Sequence, residues 1–150
     1  MPKRSSNPEL RVLLVTENRR MLQTLRDAIT ERAVRDKDYP QVAVACECGG
    51  HRAYGHSLKC HKSIRQPVSY VEPLLKALRP YGNPPEVKKV NGKVVFVGTC
   101  AEDSASNQVL EKNKAQTHAY PSLKDLEFTQ PIRTRNYQWR AFCDVCKAIF

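Results

Sequence analysis

From Glu17 to Val34 apolar residues recur at three- and four-residue intervals. Met21, Leu22, Leu25, Ala28, Ile29 and Ala33 share one face, while arginines and acids fill the other. That period predicts an amphipathic helix, ended by charged residues and Tyr39-Pro40. The run just before it, residues 10 to 15 (LRVLLV), is too short to decide between a buried strand and the first turns of a helix. Beyond Pro40 the pattern switches to alternation. In residues 41 to 57, QVAVACECGGHRAYGHS, Val42, Val44, Cys46 and Cys48 fall on one face and Gly49-Gly50 marks a tight turn, which reads as a β-hairpin.

Pro67 is placed to open a short helix reaching Leu78, with Val68, Val71, Leu74, Leu75 and Leu78 as its apolar stripe. Pro80, Gly82, Pro84 and Pro85 then force a loop. Asn91-Gly92 stands between two β-branched runs, the signature of a type I′ hairpin, and the second strand, Val94 to Val97, leads directly to Cys100. A helix follows with Ala105, Val109 and Leu110 inward, fading near Lys112 to Lys114. Residues 123 to 133 suggest a strand broken or ended at Pro131. TRNYQWRAF then makes a basic, aromatic loop, and CDVCKAIF a short closing helix. The expected fold class is α/β, a mixed central β-sheet flanked by helices, with residues 1–40 a helical segment ahead of a core at 41–150.

A chain of 150 residues can bury a core without disulfides or metal. Its 25 lysines and arginines exceed its 15 acids by ten, and the pI is about 9.5. Such a balance favours a polyanionic partner: nucleic acid, an anionic membrane surface or an acidic protein. No apolar run approaches bilayer length and MPKRSSNPEL carries no apolar signal core, so a soluble chain without a membrane partner is expected. Six cysteines leave disulfide pairing undetermined, and Cys143-x-x-Cys146 reads as metal-binding or redox-active in a reduced compartment.

The chemistry gathers around Gly98 to Gln108, GTCAEDSASNQ, where Cys100 and Glu102 open a helix. A zinc ion held by three protein ligands keeps a fourth position for water and lowers that water's pKa to about 7. Cys100, Cys143 and Cys146 are suitable ligands; the Cys143-Asp-Val-Cys146 spacing turns both sulfurs toward one ion, and helix N-terminal amides stabilise thiolates. Glu102 then suits a proton carrier, against the ordinary use of a first-turn acid, which is to complement the helix dipole. Three thiolates around a dication leave a net negative charge, so a cation nearby is expected: Lys147, Arg140, Arg133 or Arg135. Tyr137 and Trp139, interleaved with Arg133, Arg135 and Arg140, form the pattern of a single-strand groove, or of a solvated loop anchored by Trp139. Cys46, Cys48, His51, His56, Cys60 and His61 could house a second, structural zinc, although Cys46 and Cys48 also fit as small core residues.

Cys100-Ala101-Glu102 followed by Cys143-x-x-Cys146 resembles the zinc-dependent nucleoside and nucleic-acid deaminase superfamily. The Gly98-x-Cys-Ala-Glu helix start, the segment Phe128-Thr-x-x-x-Arg133-x-Arg135 and the terminal Cys-x-x-Cys followed by Phe150 look closest to the YwqJ-like branch of bacterial polymorphic-toxin deaminases. Phe142 stands where the superfamily has a proline before the first cysteine of the pair. The resemblance runs from about Val42 to the end and implies a deaminase-like three-layer fold. It also implies zinc on Cys100, Cys143 and Cys146, with Glu102 as catalytic proton shuttle. His56 and Ser57 become substrate contacts by the same resemblance, beside Arg133, Arg135, Tyr137 and Trp139.

The implied reaction converts cytosine in single-stranded DNA to uracil. RNA, double-stranded DNA, adenine and free nucleosides are the alternatives, and the basic charge disfavours a small neutral substrate. The implied setting is a secreted effector acting in a recipient cell's cytoplasm and neutralised by an immunity protein. A non-enzymatic reading is a zinc-stabilised nucleic-acid-binding module, its site of Cys100, Cys143 and Cys146 closed by His51, Cys60 or another residue. Deaminase folds usually continue with further strands after the Cys-x-x-Cys helix. Here the chain runs four residues past Cys146, so either residues 10 to 15 or the Asn91-Gly92 hairpin covers a sheet edge, or strands are missing.

Overall fold

The computed structural model describes residues 1–28, 39–57 and 69–150. Helix α1 spans Pro8–Ala28. Asn7 starts it, its side-chain oxygen accepting the Glu9 N–H at 3.0 Å, and Pro8 supplies a pre-set φ where no intrahelical donor is needed. Residues 10 to 15 are therefore helical, and the helix begins well before Glu17. Leu10, Leu14, Asn18 and Leu22 recur at four-residue steps and are all buried. The expected stretch beyond Ala28, with Ile29 and Ala33, lies outside the described residues.

Strands β2 (Val42–Cys48) and β3 (His51–His56) form the expected hairpin. Its turn residues Gly49 and Gly50 sit at φ +59° and +80°, as a type I′ turn requires. Alternation along β2 separates two cores. Ala43 and Ala45 meet Leu10, Leu14 and Ile132 under α1, whereas Val42, Val44, Cys46 and Cys48 face the larger core under α3 (Ala101–Thr117). The result is a mixed sheet between helices, in three layers.

The predicted strand around Pro131 is split. Segments β6 (Glu127–Phe128) and β7 (Ile132–Arg133) both pair antiparallel with β2, at its two ends. Between them the Thr129 hydroxyl accepts the Ala45 N–H at 3.0 Å and so continues the ladder that Pro131 cannot. A strand the periodicity did not reveal, β1 (Lys3–Arg4), adds parallel to β6; two charged residues have no legible period. That edge is covered by β1, since residues 10 to 15 are helical and the Asn91-Gly92 hairpin stands apart as its own sheet, β4 (Glu86–Val90) with β5 (Lys93–Val97).

Helix α2 (Glu72–Leu78) starts later than Pro67 suggests: Val71 is its extended N-cap, Leu74 and Leu78 are buried, and Pro67 and Val68 lie outside the described residues. Helix α3 passes Lys112–Lys114 without fading because buried Asn113 donates to the Val109 carbonyl at 2.9 Å and the Cys48 carbonyl at 3.1 Å. It closes at His118, in the left-handed region. Helix α4 (Asp144–Ile149) is docked by Phe142, Val145, Ile149 and Phe150, all buried, with Phe142 and Phe150 against Phe128. Phe142 is thus a core residue. No helix among the described residues is long and apolar enough to cross a membrane.

Candidate metal centre

Two helix starts meet at the cysteines. Strand β5 ends at Val97, and Gly98 turns the chain at φ +73°, where a Cβ would fall 2.6 Å from Pro84. The Tyr70 hydroxyl pins that corner, donating to the Gly98 carbonyl at 2.8 Å. Cys100 is then the N-cap of α3, and its N–H donates to the Asp103 carboxylate at 3.2 Å in a capping box. The first turn of α3 lies close on β3. A Cβ at Gly55 would come within 2.4 Å of the Ala105 nitrogen and 2.5 Å of the Ala101 carbonyl, so glycine there sets how deep Cys100 sits.

Cys143 is the N-cap of α4, its sulfur accepting the Cys146 N–H at 3.4 Å. The Cys100, Cys143 and Cys146 sulfurs all lie within 4.8 Å of one another. Cys100 and Cys143 approach to 3.1 Å, beyond bonding distance, and all three thiols are free. Tetrahedral thiolate ligation with metal–sulfur bonds of about 2.3 Å places sulfurs about 3.8 Å apart, inside the span these atoms cover. The three cysteines therefore have the donor chemistry and spacing to hold a metal ion. Among the described residues no other group of histidine, cysteine or carboxylate side chains does.

Glu102 adjoins this cluster. It is 3% exposed, and the Cys146 thiol donates to its carboxylate at 3.6 Å. Burial, reinforced by the neighbouring Cys143 charge, pushes its pKa up to about 7. Cys143 is held well below the ordinary thiol range because Cys100 and Cys146 share their S–H protons with it and the N–H groups of Cys146 and Val145 point at its sulfur. The same sharing, with burial, raises Cys100 and Cys146. Helix amides thus supply part of the stabilisation that the sequence suggested a cation would provide. Asp103, fully buried, is raised by burial and by Glu102. Its second oxygen and the Thr99 hydroxyl are buried with no partner among the described residues.

Cys143 and Asp144 also border a cleft of about 360 Å³ walled by Val90, Lys93, Val95 and Val145. The structure brings Cys100, Cys143, Cys146 and Glu102 together and distributes the other proposed contacts elsewhere. Ser57 is occupied as a strand cap, accepting the Gln41 and Val42 N–H groups at 3.0 Å each. His56 pairs with Ala43, hence on the α1 side, its ring 6.0 Å from that of Tyr54. Arg133 is exposed opposite Val42. Arg135 stacks on Tyr39 at 4.6 Å. Tyr137 and Trp139 line a second cleft against α1.

The suggested second zinc cluster does not assemble among the described residues: Cys46 lies in the core, and His51 bonds to Gln116. Cys60 and His61 lie outside them. Two residues of the centre went unread in sequence. Asp103 carries a signal, Cys100-x-x-Asp103 being a capping box with cysteine as the cap; Tyr70 carries none. The chain matches no protein-family model, no curated protein and no solved structure.

Proposed function

We propose that this protein is a zinc-dependent hydrolytic deaminase of a deaminase-like fold, converting cytosine to uracil in single-stranded DNA. The observation that carries the reading is the convergence of three free thiols from two helix starts beside a buried carboxylate. When bound there, zinc supplies the Lewis acidity that makes a water nucleophilic near neutral pH. Glu102, with a pKa near 7, is poised both to accept a proton and to return one at that pH. It would take one proton of the water on a carboxylate oxygen and pass it to the ring nitrogen. It would then take the second proton from the added hydroxyl and pass it to the amine, which leaves as ammonia while the hydroxyl oxygen becomes the carbonyl. Water adds, ammonia leaves, and no oxidant is required. The cleft beside Cys143, lined by Val90, Val95, Phe96 and Val145, has apolar walls for an aromatic ring and Lys93 for the attached phosphate. A formal net charge of +10 favours a polyanion over a free nucleoside. The toxin role, delivery to a recipient cell and neutralisation by an immunity protein belong to the same proposal and rest on the motif resemblance.

A closed structural metal site is the second reading, favoured by the Glu102 carboxylate, a further ligand type, lying 3.6 Å from the Cys146 sulfur. His51 cannot close it. Its partner Gln116 lies 16 positions beyond Cys100 along α3, about 24 Å at the helical rise.

The test is zinc-loaded wild type beside Glu102→Gln, incubated with single- and double-stranded DNA, RNA and free nucleosides, and read by mass spectrometry for amine-to-carbonyl exchange. The deaminase reading expects exchange with wild type only, zinc being retained in both. Zinc lost from the variant, with no exchange by either protein, would establish the closed site instead.

A further inference from the structure

We infer that the cleft between α1 and the Trp139 loop is a single-stranded nucleic-acid surface, on the sheet face opposite the cysteines, where a base stacks on Trp139 and arginines hold phosphates. The cleft encloses about 380 Å³. Arg11 and Arg19, two turns apart on α1, line it together with Arg4, Tyr137 and Trp139, and among the described residues no acidic side chain does. The acids of α1 nearest these arginines are turned elsewhere: Glu9 pairs with Arg52 at 2.8 Å and Glu17 with Arg20 at 3.0 Å. Trp139 is 53% exposed, so it is not a core anchor. It bridges to Ile132, whose side chain lies in the core under α1, which fixes its face of the sheet. The Arg11 guanidinium covers one side of its ring at 4.6 Å. A half-exposed indole backed by arginine, with further arginines along the same groove, is the arrangement that stacks unpaired bases and neutralises their phosphates. A duplex hides its base faces, and an acidic protein offers no stacking ring at each charge, so the single strand is the partner that uses both features. This surface does not depend on the chemistry of the metal centre.

Trp139 is the sole tryptophan, so its intrinsic fluorescence reports directly on stacking. The full chain is titrated with a thymidine oligonucleotide, the corresponding duplex, and polyglutamate as a polyanion without bases. Quenching by the single strand, and not by polyglutamate, is the expected result. In Arg11→Ala/Arg19→Ala, both sites being exposed, the fall of log affinity with log salt should become shallower by about 0.7 for each phosphate no longer neutralised. In Trp139→Leu, affinity measured by anisotropy of a labelled strand should drop about tenfold or more, with unchanged circular dichroism in both variants. Strand binding that leaves Trp139 fluorescence unchanged and is insensitive to these substitutions would overturn the surface, as would equal binding of polyglutamate, which would reassign it to an acidic protein. An active deaminase with a silent Trp139 would remove this inference alone. Quenching without deamination on any substrate would remove the metal-centre reading alone.

Discussion

At residue 103 a buried carboxylate positions Cys100 without belonging to the sulfur cluster. One Asp103 oxygen receives the Cys100 N–H, which sets the angle at which α3 leaves the β5 corner and so where the Cys100 sulfur points. Asp103→Ala should cost about 1 kcal/mol of folding stability through removal of the cap and weaken zinc about 10- to 100-fold through removal of a supporting hydrogen bond. Urea denaturation and chelator competition measure the two effects. Asp103→Asn keeps an oxygen acceptor and should recover most of both; equal loss in the two variants would mean that charge, not the hydrogen bond, matters. Cys100, Cys143 and Cys146 were legible as a group that could hold a metal because ligand chemistry imposes residue types, and Glu102 was legible through its place beside Cys100. Asp103 was not singled out because an acid at the third helical position has an ordinary use at any helix start.

Helix α4 has six residues, well below the roughly 12–15 at which an isolated helix becomes even marginally stable. Its order comes from the aromatic anchors around Phe128 and from the cysteines that face Cys100. A metal there would staple α4 to α3. Stripping the metal with a chelator should therefore raise amide exchange in residues 144–149 well before it does so in β2 and β3; exchange that rises equally everywhere, or nowhere, would sink that coupling. Element types were readable from period and turn residues, as in the two hairpins. Boundaries were less so: the start of α1 rests on one side-chain cap at Asn7, and the end of α3 on the buried partners of Asn113.

The molecule has unequal cores on the two faces of its sheet. Under α1 the buried cluster is Leu10, Leu14, Ala43, Ala45 and Ile132; under α3 it extends from Val44 to Phe150 and takes in the Cys146 sulfur. Leu110→Ala, in the larger core, should lower global stability by about 2–5 kcal/mol. Leu14→Ala should instead speed amide exchange chiefly in α1, since a small core supports a locally opening layer. Native-state hydrogen exchange distinguishes the two; a uniform loss of protection in Leu14→Ala would show one indivisible core.

The sequence by itself determined the α/β class and both tight-turn hairpins, and it singled out the three cysteines that the structure brings together. The first two follow from local period and turn chemistry, which a short window contains, and the third from residue type. Tertiary structure decided what depends on distant segments meeting: the pairing of β1 with β6, the close approach of α3 at Gly55, and the 43-residue sequence gap closed between Cys100 and Cys143. It also decided the sheet face on which Trp139 emerges. Strand register sets that face, and a shift of one residue would have reversed it.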